Sequence, residues 1–192
     1  MEVSFRIWRS KPSVLICIFE TGGQFDALVP AGMMTSRENW MKSWNVNTAG
    51  TQIMTETFAP LLLQASNPRL LFMASGTSTL GGTENSTARF DEFAAKGWPK
   101  QGMNIAAYRS SKTGMNMMMR EWYRLLHEDG VKVWCISPGF LATGLGGAGE
   151  ETLKKMGAGD PETVGPFIMS ILQGARDADV GKVITKDGVQ KW

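Results

Sequence analysis

The chain is poor in the residues that most metal and thiol chemistry needs. Its 192 residues hold one histidine, His127, and two cysteines, Cys17 and Cys135. No Cys-x-x-Cys pair or Cys/His cluster occurs, which argues against a structural zinc site. The cysteines stand far apart inside apolar runs, where free, buried thiols of a reducing compartment are expected. A Gly-x-Ser-x-Gly elbow is missing, and with a single histidine no serine reads as a hydrolase nucleophile. His127 falls near a helix end and suits the C-terminal dipole better than catalysis. Excess charge is also lacking: 20 Lys and Arg face 18 Asp and Glu, and the basic residues do not cluster. Nucleic acid is therefore not an expected partner. The apolar run Val14 to Phe19 is too short to span a bilayer, and the first twenty residues have no signal-peptide layout. The expectation is a soluble cytoplasmic protein with no membrane partner, in which the sequon Asn85-Ser86-Thr87 is unused. No repeat, low-complexity tract or linker divides the chain, so residues 1–192 read as one domain.

Hydrophobic residues make up 43% of the chain and charged residues 20%, enough to bury a sizeable core. "SVLICIF" (13–19) is solidly apolar between Pro12 and "TGG", which fits a strand buried on both faces. A helix is predicted from the Thr35–Glu38 capping box to about Leu63, bent near Gly50. "RLLFMAS" (69–75) reads as a second strand. The stretch 105–129 reads as a helix stopped by Gly130. On it Met115, Met118, Met119, Trp122, Leu125 and Leu126 recur at three- and four-residue steps as one apolar face, core rather than a metal site. "VKVWCIS" (131–137) is a third strand. A helix over about 161–175 opens with Asp160-Pro161, and "GKVIT" (181–185) is a fourth strand. Buried strands alternating with helices predict a parallel α/β sheet. Ligands of open sheets sit at the carboxyl ends of the strands, where Ser75 and Pro138-Gly139 fall.

Chemistry concentrates in "AAYRSSKTG". Tyr108 and Lys112, four apart on a helix, share one face. A free tyrosine ionises near pH ~10, too high for proton exchange at neutrality. An ammonium about 4–5 Å away favours the phenolate by roughly 3–4 kcal/mol at an effective dielectric near ~20. Desolvation opposes this, leaving a smaller net shift and a usable general acid or base. Such a pair alone is commonplace on helices; its neighbours strengthen the reading.

Tyr108-Arg109-Ser110-Ser111-Lys112 resembles the Y-x-x-S-K signature of the short-chain dehydrogenases/reductases. "LLFMASG" resembles that family's strand-to-serine segment, "WNVNTAGT" its asparagine-bearing helix, and "SPGFLAT" its P-G-x-x-x-T segment. The four stand in family order, and the resemblance covers about residues 14 to 192. "GWPKQG" and the Met-rich helix look like a fungal, carbonyl-reductase-like branch. The resemblance implies a Rossmann-like fold and an NAD(P)-dependent oxidoreductase interconverting a carbonyl compound and a secondary alcohol. It implies Tyr108 as general acid/base, Lys112 as the residue that lowers the tyrosine pKa and contacts the nicotinamide ribose, and Ser75 as the group that orients the substrate oxygen. Asn47 would hold a water of a proton relay. Pro138, Gly139, Leu141 and Thr143, with the backbone near Phe140, would line the nicotinamide pocket. The cofactor implied is NADP or NAD, with NADP favoured.

The family's opening motif, T-G-x-x-x-G-x-G, is missing. "TGLGGAG" (143–149) follows Pro138-Gly139 rather than opening a βαβ unit, and is read as a flexible segment near a substrate lid. The family's Asn-Asn-Ala-Gly stretch is replaced by Phe19-Glu20-Thr21-Gly22. The expectation is an N-terminally truncated nucleotide-binding half, with "VLICIF" as an exposed edge strand, poor solubility and weak cofactor binding. The alternative function is a non-catalytic remnant of the fold or a truncated gene product. Between Ser75 and Tyr108 lies a long segment with Phe90, Phe93, Trp98 and Met103, either a pocket wall or a surface insertion packed on the fold. Substrate identity and oligomeric state are not legible.

Overall fold

The computed structural model describes residues 3–9 and 15–21 as backbone, and residues 36–84, 86, 91–100, 104–143 and 149–192 in full. Six strands form one sheet in chain order: β1 (Val3–Arg9), β2 (Leu15–Thr21), β3 (Arg69–Met73), β4 (Lys132–Ile136), β5 (Val183–Thr185) and β6 (Gly188–Val189). The four central strands run parallel, with Ile18 beside Leu71, Leu71 beside Trp134 and Ile136 beside Ile184. Antiparallel strands flank both ends: β1 on β2 and β6 on β5.

The parallel centre of the sheet is as expected, and an antiparallel strand at each end makes the whole sheet mixed. One expectation is corrected: the apolar strand at 15–21 is not an edge, since β1 pairs along its whole length, Val3 opposite Thr21 through Arg9 opposite Leu15. Its open backbone groups are thereby satisfied by residues that no sequence pattern had marked as a strand.

Helical crossovers join the parallel strands. Between β2 and β3 runs one long helical stretch: α1 (Arg37–Trp44), a π-helical turn (Asn45–Gly50) and α2 (Thr51–Leu62). Its N-cap is Ser36, whose hydroxyl accepts from the Asn39 backbone N–H at 3.1 Å. The capping box expected at Thr35 lies outside the described residues. The π turn occupies the place where a bend was expected near Gly50. Within and after it, the Thr51 hydroxyl donates to the Asn47 carbonyl and the Thr55 hydroxyl to the Thr51 carbonyl. Between β3 and β4 lies α3 (Ala106–Leu126), ended by Gly130 at φ 73°, where the Val131 N–H reaches back to the Leu126 carbonyl. The His127 Nδ1 lies 3.0 Å from the neighbouring Glu128 carboxylate, and the ring sits edge-on to Tyr123. Between β4 and β5 come α4 (Glu150–Lys155) and α5 (Val164–Leu172), the latter preceded by a 3₁₀ turn capped by Asp160.

Alternation along the strands divides the core between the two sheet faces. Leu70, Phe72, Val133, Cys135 and Val183 pack with Met115, Met119, Trp122 and Leu126 of α3. Leu71, Trp134, Ile136 and Ile184 pack with Ile171 of α5 on the other face. Strands buried on both faces account for the unbroken apolar runs in the sequence. At the amino ends of β3 and β4, Arg69, only 2% exposed, is held by Asp177 at 2.6 Å and by the Ile171 carbonyl. Lys132 pairs with the same carboxylate. The opposite, carboxyl edge carries the candidate chemistry.

Candidate active site

Tyr108 and Lys112 lie on the first turns of α3, both almost fully buried at 8% and 3% exposure. The Lys112 ammonium donates to the Met73 carbonyl, the last residue of β3, at 2.8 Å. It stands 6.0 Å from the centre of the Tyr108 ring. Ser75, two residues past the end of β3, lies near enough to Tyr108 for its hydroxyl to favour the phenolate. The hydroxyls of residues 75 and 108 thus meet at the carboxyl edge of the sheet.

The net electrostatic shift on Tyr108 runs opposite to the sequence expectation. Burial raises its pKa above the ordinary tyrosine value, and the Ser75 hydroxyl lowers it by less. The Lys112 ammonium donates to a backbone carbonyl and stands 6.0 Å from the centre of the Tyr108 ring, so burial dominates the shift. Desolvation therefore outweighs the pull of the Ser75 hydroxyl, and the phenol holds its proton to higher pH than a free tyrosine. The ammonium is felt elsewhere, since it pulls against the burial that pushes the Cys135 thiol far up.

Ser75 caps a single 3₁₀ turn, Gly76–Ser78, by accepting from the Thr77 N–H, and its hydroxyl lies 3.0 Å from the Thr77 hydroxyl. Thr77 is a polar neighbour of the site that sequence reasoning missed. The turn is anchored by a second stripe of α3, offset by one residue from Tyr108 and Lys112. The Arg109 guanidinium donates to the Thr77 carbonyl, the Thr113 hydroxyl lies 2.9 Å from the Ser78 carbonyl, and the Asn116 amide donates to the Ser78 hydroxyl at 3.0 Å. The 109/113/116 spacing is that of one helix face, a signal present in the sequence and unread there.

Asn47, wholly buried in the π-helical turn, donates to the Ser111 hydroxyl at 2.9 Å. Ser111 in turn donates to the Tyr108 carbonyl at 2.8 Å, and the Thr48 hydroxyl donates to the Ser111 carbonyl. Asn47 therefore stands one side chain behind the Tyr108–Lys112 turn.

The segment after β4 is brought near by Ser137, whose hydroxyl faces Gly76. Pro138 and Gly139 follow directly. Gly139 has φ 98°, and a side chain there would point into open space, so the backbone at 138–140 can be approached closely. The described contacts of Leu141 and Thr143 run along their own loop and to Gly159: Leu141 bridges Gly159, and the Thr143 N–H donates to the Leu141 carbonyl. "TGLGGAG" lies outside the described residues from 144 to 148. Of the long segment before α3, Phe90 and Met103 also lie outside them. Phe93 and Trp98 are solvent-exposed, so these two aromatics do not pack on the fold. The segment is tied back where Asp91 pairs with Arg109 at 2.6 Å. Among the described residues no group of three metal-ligating side chains occurs, and no helix is long and apolar enough to cross a membrane.

Comparison with known proteins bears on this geometry. Residues 97–154 match the family model described as short chain dehydrogenase. The short-chain dehydrogenase/reductase eupG of Phoma sp. is 42% identical over 185 residues, covering 92% of this chain and 66% of that protein. The short-chain dehydrogenase/reductase tropE of Talaromyces stipitatus is 43% identical over 177 residues, covering 86% and 65%. Among solved structures, a short chain dehydrogenase of Escherichia coli complexed with NADPH superposes with a TM-score of 0.66 at 18% identity, over 92% of this chain and 64% of that one. The chain thus spans about two thirds of the length of the curated relatives it matches.

Proposed function

The chain belongs to the short-chain dehydrogenase/reductase family, and on that premise we propose that it interconverts a small-molecule carbonyl compound and its secondary alcohol, with Tyr108 as general acid/base. The observation that carries this reading is the approach of the Ser75 hydroxyl to Tyr108 beside a buried ammonium. A carbonyl oxygen placed between the two hydroxyls accepts from both.

The residues fit the nicotinamide end of an NAD(P) cofactor, with NADP favoured. Tyr108 and Lys112 offer polar groups at the sheet edge, and the open backbone at Gly139 admits a flat ring or carboxamide. Pro138, Gly139, Leu141 and Thr143 complete that wall. When bound, the nicotinamide supplies or accepts the hydride. The protein supplies the rest. In the reducing direction, burial keeps the Tyr108 proton in place at neutral pH. As charge develops on the substrate oxygen, Ser75 donates to it and Tyr108 transfers its proton, leaving a phenolate and an alcohol. Lys112, 6.0 Å from the ring centre, steadies that phenolate by its charge. Asn47, through Ser111, holds the α3 turn that carries Tyr108, and it is the proposed holder of a relay water that returns a proton to the phenol.

The test is oxidation of NADPH with a panel of aromatic ketones and quinones. Tyr108→Phe is expected to abolish turnover with the fold intact. A Tyr108→Phe chain as active as the parent overturns the assignment.

A further inference from the structure

The serine at the site is held from a direction that neither the Tyr108–Lys112 spacing nor the family segments indicate. Beyond β6 the chain runs back across the carboxyl edge of the sheet. The Gln190 N–H donates to the Val183 carbonyl at 2.9 Å, which fixes its backbone to β5. The turn before it is clamped by Arg176, which donates to the carbonyls of Thr185 and Gly188. From that base the Gln190 side-chain amide donates to the Ser75 carbonyl at 3.2 Å and lies 3.4 Å from the Ser78 hydroxyl. Two residues on, the Trp192 carbonyl accepts from the Gly81 N–H and from the Thr79 hydroxyl. The 75–82 segment is thus gripped on one side by α3 and on the other by residues 190–192.

Among these contacts Gln190 is distinctive. Arg109, Thr113 and Asn116 hold Thr77 and Ser78. Among the described residues, the only side-chain donors to the Ser75 carbonyl are Ser78, within the turn itself, and Gln190, 115 residues away. A serine hydroxyl has one rotatable bond, so the position of its backbone decides whether it reaches a partner across the edge. Ser75 has extended backbone geometry, φ −151° and ψ 147°, while the residues after it turn sharply. Within the turn the Ser75 carbonyl accepts from the Ser78 N–H and hydroxyl, and Gln190 adds a hold on it from outside the turn.

We propose that Gln190 is a positioning residue of the site, its side-chain amide fixing the Ser75 carbonyl so that the Ser75 hydroxyl faces Tyr108. This rests on the reading of Ser75 and Tyr108 as the reacting pair. A loss of the tether lets the Ser75 corner rotate and carries the Ser75 hydroxyl away from the phenol. Because that hydroxyl favours the phenolate, its withdrawal raises the pH at which Tyr108 ionises.

The chain has only two tyrosines, Tyr108 and Tyr123, so ionisation of each can be followed without cofactor or turnover. Fluorotyrosine is incorporated into the full chain, the two ¹⁹F resonances are assigned with Tyr123→Phe, and each midpoint is read by pH titration. Ser75→Ala is expected to move the Tyr108 midpoint upward. Gln190→Met, a neutral replacement of similar length without a donor, is expected to move it in the same direction by a smaller amount, with Tyr123 unmoved. Should Gln190→Met not fold, Gln190→Asn, with its amide on a shorter stem, is expected to give the same shift. A Gln190 variant with the parent midpoint, beside a Ser75→Ala chain that shifts, overturns the tether and leaves the Ser75–Tyr108 pair standing. Equal movement of both tyrosines overturns it as well, since that is general loosening. No shift in Ser75→Ala removes the reacting pair itself, and the tether with it.

Discussion

The Lys112 ammonium and the Met73 carbonyl meet at 2.8 Å, joining the first turns of α3 to the last residue of β3. This bond ties the helix turn that carries Tyr108 to the carboxyl end of β3. Lys112→Met removes both the ammonium and the donor to Met73. The expected outcome is a fall in kcat of about 100-fold or more and a stability loss of about 1–3 kcal/mol from the unsatisfied carbonyl. Steady-state NADPH oxidation and urea denaturation read the two effects separately.

The raised pKa of Tyr108 has a consequence at alkaline pH. The unfolded chain releases this proton near pH ~10, while the folded chain retains it to higher pH. The resulting stabilisation is complete below the unfolded value and is lost as pH rises through the folded one. Tyr108→Phe removes this component, so the decline of folding free energy above pH ~10 is expected to be shallower in the variant. Urea titrations at pH 9 and 11 (round settings on either side of the ~10 reference value) measure it; parallel declines in the two chains count against a raised Tyr108.

At the opposite edge, Asp177 is held below the ordinary carboxylate range, first by its hydrogen bond from Arg69 and then by that from Lys132. Its contribution is present above the unfolded carboxylate pKa near ~3.9 and is lost as pH falls through the lower folded value. Asp177→Ala leaves the Arg69 guanidinium buried without its carboxylate, which costs about 3 kcal/mol, the low end for a broken buried pair because Asp177 is partly exposed. The variant is expected to unfold at lower urea at neutral pH, with the gap to the parent closing in acid.

Gly181 starts the chain into β5 at φ 80°, and a side chain there would stand 2.7 Å from the Arg120 guanidinium and 2.9 Å from the Tyr123 ring. Arg120 donates to the Gly181 carbonyl at this same point. Gly181→Ala combines a left-handed backbone cost of about 1–2 kcal/mol with displacement of both neighbours. Thermal and urea denaturation are expected to show a loss of about 2 kcal/mol or more; an unchanged midpoint would mean that the backbone at 181 adapts.

Cys135 lies wholly buried in β4 between α3 and the sheet, and burial pushes its thiol far up, away from the reactive thiolate. Peptide-resolved alkylation of the native chain is expected to leave Cys135 unmodified, with labelling appearing in parallel with urea unfolding. Labelling at native conditions would place this strand outside the stable core.

Much of this architecture is local and was legible. The apolar runs at 69–75 and 131–137 each contain a strand, the run at 13–19 overlaps β2, and the three- and four-residue steps of Met115, Met119, Trp122 and Leu126 mark the face that α3 buries. Period is written residue by residue, and burial on two faces leaves no polar alternation to confuse it. Tyr108 and Lys112 were likewise close by helical geometry alone. β1, with Arg6 and Arg9 among its apolar residues, and the two-residue β6 were not legible, because pairing with a neighbouring strand defines them rather than any pattern of their own.

Sequence by itself determined which residue types could exchange a proton and that Tyr108 and Lys112 share a helix face. The tertiary structure alone decided that Ser75 meets Tyr108, that Asn47 stands behind them through Ser111, that Lys112 turns to Met73, and that Gln190 reaches the Ser75 carbonyl. The physical reason is distance along the chain. Spacing along one helix is set by its own repeat, whereas partners separated by 64 or 115 positions are brought together only when strand register and helix packing close the loops between them.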